Sequence, residues 1–238
     1  EAGNSLRVSV CPTTNAYSRT LSGTIDFTTN SAAVTGTTTQ FSTQVAVGDI
    51  LLAGPDRIEV KVASITNATA LTLQSKYTGN TSTGQTAVTR KWEFHNSFDG
   101  PPGTSAYASV VGGSLDEMHI VVVDEDGRFT GVANNVLERF SKVSKASDAK
   151  TTDGATNYYK NVINDQSQYI WWASNLTGAT SVGNRASGTN FGLGSQQAAI
   201  NASLVLGCDG ATPQESEYIK VYGKFTNPEE VYISIVIG

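Results

Sequence analysis

The chain has little charge and few chemically reactive side chains. Only 16% of its 238 residues are charged, the net charge is −5, and it contains two histidines and two cysteines. Lys and Arg are scattered, so the sequence shows no basic patch that would bind a nucleic-acid backbone. It also lacks the ~20 consecutive apolar residues of a membrane-spanning helix and an opening secretion signal. These absences predict a soluble, unexported protein that binds neither nucleic acid nor membranes.

The scarcity of histidine also argues against catalysis. His95 lies in a loop and His119 at the edge of an apolar strand, and neither has the sequence partners of a catalytic triad. Residues 112–116 (GGSLD) fail the G-x-S-x-G nucleophile pattern. The sequence therefore predicts no catalytic residues and no enzyme activity.

Two other motifs fail as ligand sites. Residues 124–127 (DEDG) lack the spacing and helical flanks of an EF-hand, and a hairpin turn is the better interpretation. Residues 192–194 lack the third glycine and the preceding strand of a dinucleotide fingerprint. No metal-binding or cofactor-binding residues are predicted, and no cofactor is expected.

The cysteines indicate the redox compartment, and the two ends of the sequence indicate whether the chain is a fragment. Cys11 and Cys208 are far apart and belong to no metal-binding motif, which favours two buried thiols in a reducing compartment, with a disulfide as the alternative. The chain opens without Met almost directly on a strand-like segment and stops behind the apolar run 231–237. Since natural termini seldom lie on buried strands, we expect a fragment of a longer protein.

Thr, Ser, Asn and Gly take the place of the missing charges, and residues 21–91 form a β-rich stretch. Residues 57–62 alternate so that Ile58, Val60 and Val62 share one face. Residues 54–56, 67–69 and 79–80 supply turns. A unit of this size with few large side chains has a thin core, so a closed six-strand antiparallel barrel is favoured over an open sheet with exposed edges. No feature of the sequence fixes the strand order.

The remaining chain has an α/β pattern. The apolar run 118–123 predicts a strand covered on both faces, the turn at 124–127 leads into residues 128–132, and residues 136–140 predict a further extended segment. A helix is predicted after the capping residues 153–157, because four following side chains at 3–4 spacing share one side; they are Tyr159, Val162, Ile163 and Gln166.

Three later segments complete the prediction. Residues 169–172 are expected to return to a strand. The glycine-punctuated stretch 178–194 predicts a loop that is mobile or packed only in an assembly. Residues 227–230 (NPEE) have the signature of a helix start.

These patterns predict a two-domain α/β or α+β protein. Residues 1–20 and 92–238 would form an α/β sandwich domain, because the opening strand is similar to the strands of the second half. Residues 21–91 would form a small antiparallel β-barrel inserted into it.

Three aromatic residues are candidate interface residues. Trp171 and Trp172 are neighbours, so in a strand one would face the core and the other a covering layer or a partner; both alternatives stay open. Tyr77 is predicted, with Trp92, as a surface aromatic of the barrel. Two aromatics are too few for an obvious sugar-binding platform.

The order of segments between residues 103 and 172 resembles the tail sheath proteins of T-even-like contractile-tailed bacteriophages. The resemblance is carried by several segments in sequence: GTSAYA from 103, MHIVVV at 118–123, DEDG at 124–127, SKASDAK at 144–150, NYYK at 157–160 and YIWW at 169–172. It extends to residues 3–8, 204–210 and 225–231. Cys208 departs from the family pattern, which has glycine in this turn.

The resemblance implies a structural protein of the virion, assembled in the host cytoplasm. Its copies would polymerise around the tail tube and contract to drive that tube through the host envelope. The implied partners are neighbouring sheath subunits, the tail tube protein, and the baseplate and tail terminator proteins. This chain would correspond to the outer domains. The alternative is an outward-facing adhesin or carbohydrate-binding module of a virion or cell surface.

Overall fold

The computed structural model describes residues 2–175, 181–192, 197–207, 214–216 and 219–220. The chain divides into two units, one formed by Ala2–Val205 and the other by Glu1 with Leu206–Gly238. In the second unit Leu206 is exposed and has a φ of 65°. The two β-sheets formed by the described residues lie within the first unit. The predicted helix start at 227–230, the apolar run 231–237 and Cys208 lie outside the described residues.

The strands of the first unit are short apart from three. Their bounds are β1 (Leu6–Cys11), β2 (Ser18–Thr20), β3 (Thr24–Phe27), β4 (Ala33–Thr37), β5 (Ile50–Ala53), β6 (Ile58–Asn67), β7 (Ala70–Leu73), β8 (Ser82–Gln85), β9 (Thr89–Lys91), β10 (Glu117–Asp124), β11 (Asn135–Ser144) and β12 (Ile200–Ser203).

The helices are few and short. The α-helices are α1 (Thr14–Tyr17), α2 (Phe41–Gln44), α3 (Ala106–Val110) and α4 (Tyr159–Gln166), and 3-10 turns span Ala2–Ser5 and His95–Ser97. Helix α3 begins where the Ser105 hydroxyl accepts a hydrogen bond from the Ala108 amide at 3.1 Å, a side-chain N-cap. Helix α4 confirms the predicted helix. The predicted capping by side chains of residues 153–157 is wrong, because the N-cap residue is Tyr158, which makes no side-chain cap hydrogen bond.

The four-stranded sheet is antiparallel with the order β11-β10-β1-β12. Its central strand β10 is buried along almost its whole length, which confirms the strand predicted from the apolar run. Met118, Ile120 and Val122 pack on the face that carries α4, whereas Val121 and Val123 pack on the opposite face. The alternation of a strand therefore feeds two separate cores from one apolar segment.

The eight-stranded sheet is also antiparallel, with the order β2-β9-β5-β6-β7-β4-β3-β8. Its strands lie between Ser18 and Lys91, close to the stretch predicted to be all-β. The prediction of a closed six-strand barrel differs from the structure: the described residues form eight paired strands, with β2 and β8 at the two ends, and no closed barrel. The end strands have three and four residues, and such short edges limit unwanted pairing without closure.

The protein is mostly β rather than α/β. The longest α-helix in the described residues is α4, with eight residues. Residues 169–172 do not form the predicted strand, because their polar backbone groups bond to side chains: the Ile170 amide to Ser167 and the Trp172 amide to Asn164. The loop expected at 178–194 is packed where it is described, since Ala186 and Phe191 are fully buried.

A shared core joins the two sheets. Trp92 follows β9 of the larger sheet, is fully buried, and packs with Val121, Val123 and Cys11 of the smaller one. Its indole N–H donates to the Ser9 hydroxyl at 2.9 Å. The two sheets of the first unit are therefore tied by both apolar contact and a buried hydrogen bond.

Candidate functional site

An apolar groove of about 280 Å³ lies on the α4 face of the four-stranded sheet. Its floor and walls come from β1, β10, α4 and the segment that follows α4. The lining residues are Val8, Val10, Met118, Ile120, Tyr159, Ile163, Tyr169, Ile170, Trp171, Trp172, Ser174 and Leu204.

The groove exists because α4 is too short to cover the sheet. Eight helical residues extend only about 12 Å, and the helix buries Tyr159, Val162 and Ile163 against the sheet. Val8 and Val10 of β1 pack only partly buried beyond this contact. The sheet therefore presents an apolar face that the helix leaves half open.

Trp172 forms one wall of the groove, and its indole makes two contacts. Its N–H donates to the Tyr159 hydroxyl at 2.8 Å, and that hydroxyl in turn donates to the side-chain oxygen of Asn175 at 2.9 Å. The Lys160 ammonium lies 4.4 Å from the centre of the indole ring, a cation–π distance. Burial raises the pKa of Tyr159, so its hydroxyl keeps its proton. The wall is rigid.

Trp171 has the opposite environment, with 73% of its surface exposed at the rim of the groove. Phe129, also exposed, packs edge-on against Tyr169 with 5.4 Å between ring centres. The two alternatives for the tryptophan pair are thus divided between them: Trp172 is covered within the unit, and Trp171 faces outwards. Exposed aromatics beside an apolar groove are typical of a protein contact surface.

Tyr77 and Trp92 do not reach the surface. Tyr77 is 1% exposed in the core of the eight-stranded sheet, 5.4 Å from the ring of Phe27, and Trp92 is 0% exposed. Tyr77 is therefore unsuited to an interface, because its apolar ring is more stable inside the core than in the predicted surface position. The carbohydrate-binding alternative loses both of its aromatic residues.

A second cavity of about 300 Å³ is polar and lies beside β1 and β12. Glu93 accepts from Arg7 at 3.0 Å and from Lys61 at 2.6 Å, and Glu125 lies 3.9 Å from Arg7. Two positive and two negative side chains already neutralise one another. The cavity therefore offers no excess charge to attract an ionic ligand.

The histidines are in structural positions. Both ring nitrogens of His119 are used: Nδ1 accepts from the Lys142 amide at 3.0 Å, and Nε2 donates to the Gly100 carbonyl at 2.9 Å. Burial lowers the pKa of His119, so the ring is neutral. Phe98 stacks on it with ring centres 4.1 Å apart. His95 is buried, with Nδ1 2.9 Å from the Trp92 carbonyl.

The acidic turn after β10 closes on itself. The Oδ2 atom of Asp124 accepts from the amides of Phe129 and Thr130 and from the Thr130 hydroxyl, at 2.7 to 3.0 Å. Burial would raise the pKa of Asp124, but these hydrogen bonds outweigh it and lower the pKa. The side chain stabilises a turn, as predicted. The chain does not return as a strand at 128–132, however, because the next strand, β11, begins at Asn135.

Sequence reasoning missed the role of the segment 144–150. Lys145 is 1% exposed, and its ammonium donates to the carbonyls of Pro12 at 2.7 Å and Leu115 at 2.9 Å. Burial lowers its pKa to about 8, against the opposing effect of Asp116. Asp116 itself accepts from the Ser105 hydroxyl and, with a very short bond, from Ser144. The signal was a lysine flanked by small residues, which leave room for its buried stem.

Within the described residues, no group of three or more His, Cys, Asp or Glu side chains could hold a metal ion. None of the helices described there has the length and apolarity needed to cross a membrane. No protein-family model, curated protein or solved structure matches the chain.

Proposed function

We propose that this chain is part of a structural subunit of a contractile phage tail sheath. It would act by contact with neighbouring copies, without catalysis and without a cofactor. The single observation that carries the proposal is the order of six sheath-like segments between residues 103 and 172.

The positions of those segments support a structural role. Lys145, from the segment 144–150, ties distant carbonyl groups together. Tyr158 and Tyr159, from 157–160, pack against the four-stranded sheet. Trp172, from 169–172, forms a wall of the groove. Residues of the sheath-like segments therefore contribute to the packing and the hydrogen bonds of the fold. This is expected of a subunit that transmits force through its own structure.

The surface supports contact with other proteins. The apolar groove and the exposed Trp171 offer a site that water solvates poorly. Thr, Ser and Asn dominate much of the remaining surface and suit wet contacts that form and re-form. A sheath has two assembled states, and contraction follows when the contacts of the short state are the more stable ones.

The domain organisation belongs to the same proposal. Residues 1–20 and 92–238 would form a sandwich domain, with 21–91 inserted, and both would lie on the outside of the tube. Two observations support the insertion: β1 and β10 pair directly, and the eight strands of the larger sheet lie between them in the chain. The tail tube, baseplate and tail terminator proteins would contact other parts of the sheath.

Immunogold electron microscopy of virions tests the proposal. Antibodies are raised against the purified 238-residue chain, and the matched control is the same serum absorbed with that chain. We expect gold particles along the whole tail in extended and contracted virions, because a sheath subunit repeats along the tube.

The position of the label separates the alternatives. Gold confined to the tail tip, or to a capsid or cell surface, would favour an adhesin over a sheath. If mass spectrometry detects the protein in purified virions that remain unlabelled, its epitopes are covered in the assembly. A quantitative blot of denatured virions then gives the copy number of the protein. A copy number far below that of the tube protein contradicts the proposal.

A further inference from the structure

Strand β12 is the least secured strand of the four-stranded sheet. It has four residues, lies at the edge, and pairs only with β1 in the described part of the chain. Its residues are half-buried or exposed. A strand with so short a ladder contributes few hydrogen bonds, so other contacts must hold it in place.

Polar side chains provide part of that support. The Ser9 hydroxyl donates to the side-chain oxygen of Asn201 at 2.5 Å. The side-chain nitrogen of Asn201 donates to the Val47 backbone carbonyl at 3.1 Å. Ser203 donates to Glu125 at 2.9 Å. Asn201 thus connects β12 to β1 and to the segment between α2 and β5.

Arg90 of β9 provides the buried part. Its guanidinium is fully buried and donates to the main-chain carbonyls of Asn15, Ala16, Gln44 and Gln197. The Gln197 side chain also accepts from Arg19. One planar group therefore fixes the residues just before β12 to α1, α2 and the larger sheet.

Only arginine can make this set of contacts. Its five N–H groups form a fixed fork, whereas lysine offers a single point of donation. The side chain of Asp49, also fully buried, lies 3.4 Å from Nε. If Arg90 were replaced by lysine, some of these carbonyls would lose their hydrogen-bond donor, and an unsatisfied carbonyl is costly in a buried site.

We propose that residues 197–205, which include β12, form a strap that opens as one unit while the other three strands of the smaller sheet and the whole larger sheet stay folded, and that Arg90 is its latch. The strap is a property of the fold and does not depend on the proposed function. Its opening has a consequence for the apolar groove, because Leu204, one of the lining residues, donates its amide to the Leu6 carbonyl at 2.8 Å. Opening removes this side of the groove and frees the outer edge of β1.

Hydrogen–deuterium exchange of the wild-type chain is the first test. Exchange is followed by mass spectrometry in increasing, sub-denaturing urea for peptides covering 197–205, 118–123 and 58–73. We expect 197–205 to exchange at least about 10-fold faster than the other two, with a weaker dependence on urea, as for a local opening. Equal rates and equal urea dependence for all three peptides would overturn the proposal.

Two variants test the latch, each against a control. Arg90→Lys keeps the charge and loses the fork, and Arg57→Lys makes the same change at an exposed position of the first unit whose side chain contacts Thr89. Asn201→Ala weakens the strap without touching Arg90. Loss of one hydrogen bond that holds the strap corresponds to about 10-fold faster opening.

We expect Arg90→Lys and Asn201→Ala to accelerate exchange of 197–205 by that factor and to leave 118–123 within about twofold, as for local unfolding. Arg57→Lys should change neither. If Arg90→Lys accelerates all peptides together, or Asn201→Ala leaves 197–205 unchanged, the strap does not open independently. Should Arg90→Lys fail to fold, the wild-type and Asn201→Ala measurements decide.

Discussion

The ammonium nitrogen of Lys145 lies 2.7 Å from the carbonyl oxygen of Pro12, a residue 133 positions earlier in the chain. The same nitrogen reaches the carbonyls of Leu115 and Phe191, at 2.9 and 3.4 Å. Three segments that are remote in sequence thus meet at one buried amine. Buried carbonyls without a partner are rare in proteins, so this lysine is a structural requirement of the fold.

Replacing Lys145 by Met should destabilise the protein by about 2 kcal/mol at pH 7, because three carbonyls lose their donor. The pKa of Lys145 is about 8 in the folded chain and 10.5 when solvated. Between these values the unfolded chain binds more protons, so the wild type gains stability as the pH rises from 8 to 10.5. Urea unfolding at pH 7.5 and 9.5 should show this gain in the wild type and lose it in the variant. An equal pH dependence in both would contradict the assignment.

Asp49→Asn tests the buried pair with Arg90. Burial raises the pKa of Asp49 to about 7, although Arg90 opposes the rise. Because the folded pKa lies above the unfolded one, this group makes the wild type less stable as the pH rises from about 4 to 7. The stability of Asp49→Asn relative to wild type should therefore improve between pH 5 and pH 8 in urea titrations. The charged groups acting on Asp49, Arg90 and Glu93, are retained in both proteins. A relative loss at pH 8 would show that ion pairing dominates.

The neighbouring tryptophans should respond differently to truncation. Trp172→Ala removes a hydrogen bond, a cation–π contact and part of the sheet packing, and should lower stability by about 2 kcal/mol, or about 6 °C in Tm. Trp171→Ala removes a mostly exposed side chain and should stay within about 0.5 kcal/mol. Thermal unfolding followed by circular dichroism compares the two. Equal losses would mean that the rim residue is also part of the core.

Gly113 is a position where a single methyl group should be damaging. A Cβ there would lie 2.2 Å from the Ala186 carbonyl oxygen, a backbone atom that cannot move alone. We expect Gly113→Ala to cost about 2 kcal/mol from overpacking. Gly100→Ala is the control, since a Cβ at Gly100 meets nothing within 4 Å. Chemical denaturation should give Gly113→Ala a lower unfolding midpoint than Gly100→Ala. Similar midpoints would mean that residues 181–192 do not lie against Gly113.

His119 should remain uncharged below its ordinary pKa, with the proton on Nε2. Its Nδ1 atom accepts from a backbone amide, and burial lowers the pKa. Two-dimensional ¹H–¹⁵N spectra of the imidazole at pH 6 should show one protonated and one unprotonated ring nitrogen. Two protonated nitrogens at that pH would mean that the Lys142 amide has another acceptor.

Elements defined by local pattern were predicted well. Strand β10 followed from a six-residue segment that is apolar except for His119, and α4 from the spacing of Tyr159, Val162 and Ile163. These patterns report burial directly, because the period of apolar residues matches the geometry of the element. The all-β stretch was recognised for the same reason.

Local patterns could not predict whether the larger sheet closes into a barrel, or whether a single aromatic residue is buried. Whether β2 and β8 meet depends on twist and register across eight strands, which no local pattern encodes. Tyr77 is predicted as a surface residue, yet it fills a core formed by strands that are distant in sequence. The burial of Arg90 depends on α1, α2 and Gln197, which no local pattern around residue 90 indicates.

The position of Trp92 gives the protein a built-in optical reporter. Its indole is shielded between the two sheets, with Phe98 stacked at 5.5 Å between ring centres, so separation of either sheet would admit water and shift its emission to longer wavelengths. Trp171, in contrast, is open to collisional quenchers such as acrylamide until something covers the groove. The wavelength of tryptophan emission thus reports the integrity of the fold, and the acrylamide quenching of Trp171 reports the occupancy of the surface.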